Sequence, residues 1–330
     1  MLEDLSLSRL LAAVGAWRLP AVADPAPPSR RPAATAGDSP AVTAGDSPAP
    51  TADDDPAATA GDRSAGPEAA RDPLAAVLDR ARRRGHPRAT LAALGAAWPT
   101  LGAAQRTIAD PLAPATPDGL GPLRWAGAPA RQHDPTTCGS TVLAQLAAAG
   151  DPVLAVWLET GRTLGDAPPP ELVAAERAAR PGDTRFVALQ RALKRRTGEN
   201  ALLGLRWPDR FGTPPWGAAK AARYADVTYG HAVVDVATPA RRERAVAAVD
   251  TALRAGVPVP LFSGGTLRTG LATAVPRHVV LVTRATASGW HVFEPSRGEV
   301  LELRSDQLAT PGRKPALGGW SVPAWVLLPR

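Results

Sequence analysis

The chain has 330 residues, 38 Lys and Arg against 31 Asp and Glu, a formal charge of +7 at pH 7, and a single cysteine. One thiol excludes an intramolecular disulfide and a multi-cysteine zinc cluster. No apolar run approaches the roughly 20 residues of a membrane helix, and the arginines are scattered with no aromatic-interleaved basic motif, so neither a membrane span nor a nucleic-acid partner is expected.

Residues 1–22 hold a short apolar stretch, Leu10 to Trp17, behind Glu3 and Asp4. A signal peptide carries a basic start, so an amphipathic segment and a cytoplasmic location are favoured, with export as the alternative. Residues 23–71 are Ala, Pro, Asp, Gly, Ser and Thr, and Thr35-Ala-Gly-Asp-Ser-Pro40 recurs as Thr43 to Pro48. Such units have no apolar face to stack, so this stretch is expected to be a disordered linker.

Asp72-Pro73 is a helix start, and Leu74, Val77, Leu78 and Ala81 have helical spacing. A second helix is expected over Arg88 to Trp98, completing a helical lead-in over 72–129. Residues 130–330 form the main domain.

Its first helix begins at Cys138. Pro135 ends the preceding segment, Thr136 or Thr137 is placed to cap the helix, and Val142, Leu143, Leu146 and Ala147 give an apolar face. A thiol in the first turn meets the positive end of the helix dipole, which favours the nucleophilic thiolate. Further helices are expected from Leu154 to Thr160, Asp183 to Thr197 and Ala240 to Gly256. Strands are expected over Val227 to Val236, Val257 to Ser263 (an edge, because of Pro258 and Pro260), His278 to Thr283, Trp290 to Glu294, Glu299 to Leu303 and Trp320 to Leu328. The fold class is therefore α+β, with a helical half followed by a mainly antiparallel sheet.

A turn at Ala287 to Gly289 makes a hairpin of the His278 and Trp290 strands, which brings His278 and Glu294 to one end of the sheet. A carboxylate on one imidazole nitrogen and a thiol on the other is the arrangement of base-assisted nucleophilic catalysis. Gln132, six residues before Cys138, offers the side-chain N–H of an oxyanion hole. His133 and His291 are further cleft candidates, His231 with Asp235 is a competing pair, and Trp207, Phe211 and Trp216 are candidate wall aromatics.

Gln132, Cys138 at a helix start, Arg277-His-Val-Val-Leu-Val282, and an acidic residue in Phe293-Glu-Pro-Ser-Arg-Gly298 together resemble the papain-like cysteine peptidases. The branch that trims double-glycine leaders from bacteriocins is the most similar, with Glu294 standing where that branch has Asp. The resemblance implies a papain-like fold and four roles: Cys138 as nucleophile, His278 as base and then acid, Glu294 as orienter, and Gln132 as oxyanion donor. It also implies a peptide or protein substrate and no metal or cofactor. A transglutaminase-like acyltransferase with the same nucleophile and a non-catalytic peptide-binding relative are the alternatives. Glu294 is one methylene longer than Asp and must be set back to make the same bond.

Overall fold

The computed structural model describes residues 72–330 except 203, 235, 237 and 266–275. The expectations for residues 1–71, and the pairing of His231 with Asp235, lie outside the described residues.

Nine helices are described: α1 Pro73–Arg83, α2 Arg88–Ala97, α3 Ala104–Ala109, α4 Cys138–Gly150, α5 Pro152–Thr160, α6 Pro170–Ala178, α7 Arg185–Gly198, α8 Pro215–Ala221 and α9 Pro239–Arg254. The strands are β1 Gly121–Pro122, β2 Arg124–Trp125, β3 Ala128–Pro129, β4 Arg223–Tyr224, β5 Val227–Val233, β6 Val259–Gly264, β7 Pro276–Ala285, β8 Gly289–Glu294, β9 Glu299–Arg304 and β10 Val322–Pro329. Eight of them form one antiparallel sheet in the order β1-β9-β8-β7-β6-β10-β5-β4. The architecture is α+β.

Both faces of this sheet are covered, and the alternation of side chains along each strand builds two cores. Phe262, Val279, Leu281, Phe293, Val300, Trp325 and Leu327 belong to the core that includes α4 and the other helices of the first half. Their neighbours Leu261, Val280, Val282, Val292, Leu303, Val326 and Leu328 belong to the second core, with Ala245, Ala248, Val249 and Ala252 of α9.

Helix α4 lies inside the first core, and all of its residues are buried. A helix apolar on every side has no solvent face to offer, and this one is hydrophobic enough to accept that position. Val142, Leu143 and Leu146 are buried there, each contributing about 1.5–3 kcal/mol. The polar exceptions are satisfied: Gln145 accepts from Trp125 Nε1 at 2.9 Å and donates to Pro111 O at 2.6 Å. Val77, Ala81, Leu94 and Ile108 of α1–α3 enter the same core. Among the described residues no single helix is long and apolar enough to cross a membrane.

The sequence reading needs two corrections here. Strand β6 is not an edge, because it lies between β7 and β10. Pro258 precedes the strand and Pro260 lies before Leu261, the first residue registered with β10, so neither proline stands between two continuous ladders. Thr137 occupies the cap position of α4 but its side chain does not cap the helix. Its hydroxyl donates instead to Asp134 O at 2.9 Å. The turn is organised by Asp134, whose Oδ1 accepts from Thr136 N at 2.7 Å and Thr136 Oγ1 at 2.6 Å. Helices α3, α6 and α8 are additions to the predicted set.

Candidate active site

The thiol is placed by a segment moored at two levels. Gln190 of α7, fully buried, donates to Arg131 O at 2.9 Å and accepts from His133 N at 3.2 Å. One turn later Lys194 reaches Thr136 Oγ1 and comes within 4.0 Å of Asp134. Burial works to raise the Asp134 pKa, but the Thr136 bonds and the Lys194 charge outweigh it, and the carboxyl is held below its usual range. These contacts fix the 131–137 turn and so the start of α4. Cys138 stands there, 5% exposed. With no side-chain cap, the first N–H groups of α4 remain available as donors.

The opposing side chains come from the β7–β8 hairpin, where Leu281 pairs with Phe293. His278 lies toward the open end of β7, registered opposite Ser263 of β6, and Glu294 closes β8. His278 Nε2 and Glu294 Oε1 are 2.6 Å apart. The other ring nitrogen is thereby left for the thiol, and His278 does interact with Cys138. Burial disfavours the imidazolium, but the bonds and charges of Cys138 and Glu294 overcome this and raise the His278 pKa to about 9.

Glu294 is fully buried, and its carboxylate is saturated. Besides His278, Oε1 accepts from Ser296 N at 3.0 Å, while Oε2 accepts from Ser296 Oγ at 2.6 Å and Arg297 N at 2.9 Å. Burial acts to raise the Glu294 pKa, yet the bonds from His278 and Ser296 prevail and lower it. Glu294 therefore holds a negative charge against the imidazole despite its depth. Gly298, at φ +72°, lets the chain turn tightly behind it and donates to Glu294 O at 2.9 Å.

The wall that holds the imidazole from behind has no local signal in the sequence. Gly318, at φ +67°, sits against the His278 ring; a Cβ there would fall 2.2 Å from Cδ2 and 2.5 Å from Nε2. Its loop is held by Lys314, a buried ammonium that donates to the carbonyls of Thr310 (3.0 Å), Gly312 (3.0 Å) and Ser321 (2.7 Å). Ser263 Oγ adds a bond to Leu317 O at 2.9 Å.

Gln132 is brought to the same neighbourhood. Its backbone N–H donates to Pro295 O, next to Glu294, at 2.7 Å. Its side-chain Nε2 donates to Asp134 O at 3.0 Å, and Oε1 is buried without a partner. Gln132 is not among the described residues that line the cleft beside Cys138.

A cleft of about 100 Å³ opens beside the thiol, lined among others by Cys138, His278, Phe211, Thr213 and Phe262. Phe211 is thus a wall aromatic, half exposed, whereas Trp207 and Trp216 pack edge-to-face behind it at 5.4 Å. The remaining histidines have other partners: His133 meets Asp134 at 3.0 Å and Gln190 at 3.3 Å, His231 accepts from Trp325 at 3.3 Å, and His86 contacts Asp151 at 2.8 Å. His291 lies on β8 opposite Glu302. Among the described residues no group of three or more His, Cys, Asp or Glu is placed to hold a metal.

Chemically, the arrangement offers a thiol at a helix start without a side-chain cap, an imidazole lining the same cleft, and a saturated carboxylate bonded to that imidazole. No family model, curated protein or solved structure matches this chain.

Proposed function

We propose that the chain is a cysteine hydrolase of papain-like architecture that cleaves a peptide or amide bond through a thioester on Cys138. The observation that carries this reading is the buried His278–Glu294 bond of 2.6 Å in the cleft that Cys138 also lines, and the histidine pKa is raised to about 9 in keeping with it. An ordinary core thiol has no use for a neighbouring charged imidazole.

In this mechanism the Cys138 sulfur attacks the substrate carbonyl, forming the S–C bond and an oxyanion. The oxyanion is received by the Cys138 N–H, where the uncapped helix start supplies a positive field. His278 gives its proton to the leaving amine as the C–N bond breaks. Neutral His278 then takes a proton from water as the water oxygen attacks the thioester carbonyl; the C–S bond breaks, releasing the acid and restoring the Cys138 thiolate beside the protonated imidazole. Glu294 holds the imidazole orientation and its charge through both steps.

The test is acylation by p-nitrophenyl acetate, which needs no particular peptide sequence. The wild type should release a burst of p-nitrophenolate and carry one acetyl group on Cys138 by mass spectrometry. Cys138→Ala should show neither. A wild type with no burst and no acetyl adduct would refute the reading.

A further inference from the structure

The turn that follows β8, Glu294-Pro-Ser-Arg-Gly298, serves two parts of the molecule at once. Glu294 accepts from the backbone N–H groups two and three residues ahead of it, those of Ser296 at 3.0 Å and Arg297 at 2.9 Å. A short Asp or Asn side chain ordinarily closes its own turn in this way. Here a glutamate does so, and the same carboxylate meets His278 at 2.6 Å. The turn is also bonded to the segment that leads to Cys138, since Pro295 O accepts from Gln132 N at 2.7 Å and Gly298 O from Leu123 N at 2.9 Å.

The last torsion of a glutamate side chain is soft, so its carboxylate plane is set only by what bonds to it. Ser296 Oγ donates to Oε2 at 2.6 Å, and with the Arg297 N–H it fixes that oxygen and presents Oε1 to the imidazole. An aspartate carboxylate would stand back by one C–C bond, about 1.5 Å. It could close the turn or reach the imidazole, but bonds of 2.6–3.0 Å leave no slack for both. We propose that Ser296 is a positioning residue of the reaction, its hydroxyl fixing the Glu294 carboxylate plane against His278, and that aspartate does not serve in place of Glu294 in this turn. The proposal rests on the reading of His278 as the base that serves Cys138.

The test compares the full-length wild type with Ser296→Ala, Ser296→Thr and Glu294→Asp by two readouts, the rate constant of the p-nitrophenyl acetate burst and the NMR titration of the His278 imidazole. Ser296→Ala should slow the burst about tenfold, as expected for a lost hydrogen bond to a charged group, and should lower the His278 midpoint from about 9. Ser296→Thr keeps the hydroxyl and should restore both. Glu294→Asp should lose at least as much as Ser296→Ala. An unchanged His278 midpoint in Ser296→Ala overturns the proposal even if the urea midpoint falls, because the hydroxyl then has a structural role only. A Glu294→Asp protein with the wild-type burst and titration overturns it as well. A wild type without a burst refutes the nucleophile reading instead, and the His278 titration still decides the role of Ser296.

Discussion

Nε2 of His278 lies 2.6 Å from Oε1 of Glu294, and three further donors from Ser296 and Arg297 hold the same carboxylate. A glutamate, longer than the aspartate of the resembling family, is therefore seated at the end of β8 with its charge fixed against the imidazole. The reach problem is solved by the Ser296 turn rather than by the length of the side chain.

Glu294→Gln removes that charge and turns an amide N–H toward groups that are themselves donors. The His278 pKa should fall from about 9 toward the ordinary histidine value, as read by NMR titration of the imidazole. Turnover should fall by about 10²- to 10⁴-fold.

The same pKa shift predicts a pH dependence of stability. The folded state binds the His278 proton more tightly than the unfolded chain. The stabilisation is therefore complete below about pH 6.5 and is lost as pH rises through about 9. It amounts to up to about 3 kcal/mol. Urea unfolding at a series of pH values should show a decline across that interval that is absent in His278→Ala. Glu294, whose pKa is lowered, acts in the opposite sense: its contribution is present at neutral pH and is lost on acidification below the usual carboxylate range.

Gly318→Ala places a methyl group 2.2 Å from Cδ2 of His278 at a backbone angle that alanine adopts with strain. The cost is about 1–3 kcal/mol. The ring or the loop has to move, so Cys138 alkylation near neutral pH should slow well before the urea midpoint suggests unfolding. An unchanged alkylation rate would mean that the loop, not the imidazole, yields.

Lys314→Met leaves three inward carbonyls without their donor. A loss of about 2–4 kcal/mol is expected by urea unfolding. Hydrogen exchange should increase over the 310–321 loop, and the imidazole it backs should titrate with a shifted midpoint.

That Cys138 opens a helix and that His278 and Glu294 meet at one end of a hairpin was legible because each depends on a local pattern. The Thr-Thr-Cys-Gly turn-to-helix junction and the β7–β8 hairpin each place their own residues without help from the rest of the chain. The Asp72-Pro73 start held, with Asp72 accepting from Leu74 N at 3.0 Å. The same signal at Asp151-Pro152 opens α5, where Asp151 also accepts from two backbone groups. Helices α6 and α8 were not expected, and each begins with a proline, Pro170 and Pro215, at its first position, where the missing N–H does no harm. The supports of the site were not legible. Gln190 and Lys194 bind a turn almost sixty residues away, and Gly318 meets a histidine forty residues earlier. Only the placement of a polar Gln190 among Phe186, Leu189 and Leu193 on α7 hinted at a buried partner.

The central claim is that Cys138 is a nucleophile activated by His278, and the lone cysteine makes its labelling unambiguous. The most direct test is the rate of iodoacetamide alkylation near pH 6 in the folded wild type, in His278→Ala and in the urea-unfolded chain. The account predicts that the wild type reacts at least about a hundredfold faster than either comparison, because His278 and the helix start activate the sulfur as a nucleophile. A wild type that reacts no faster than His278→Ala, or only once the protein unfolds, would contradict it and leave Cys138 a structural thiol.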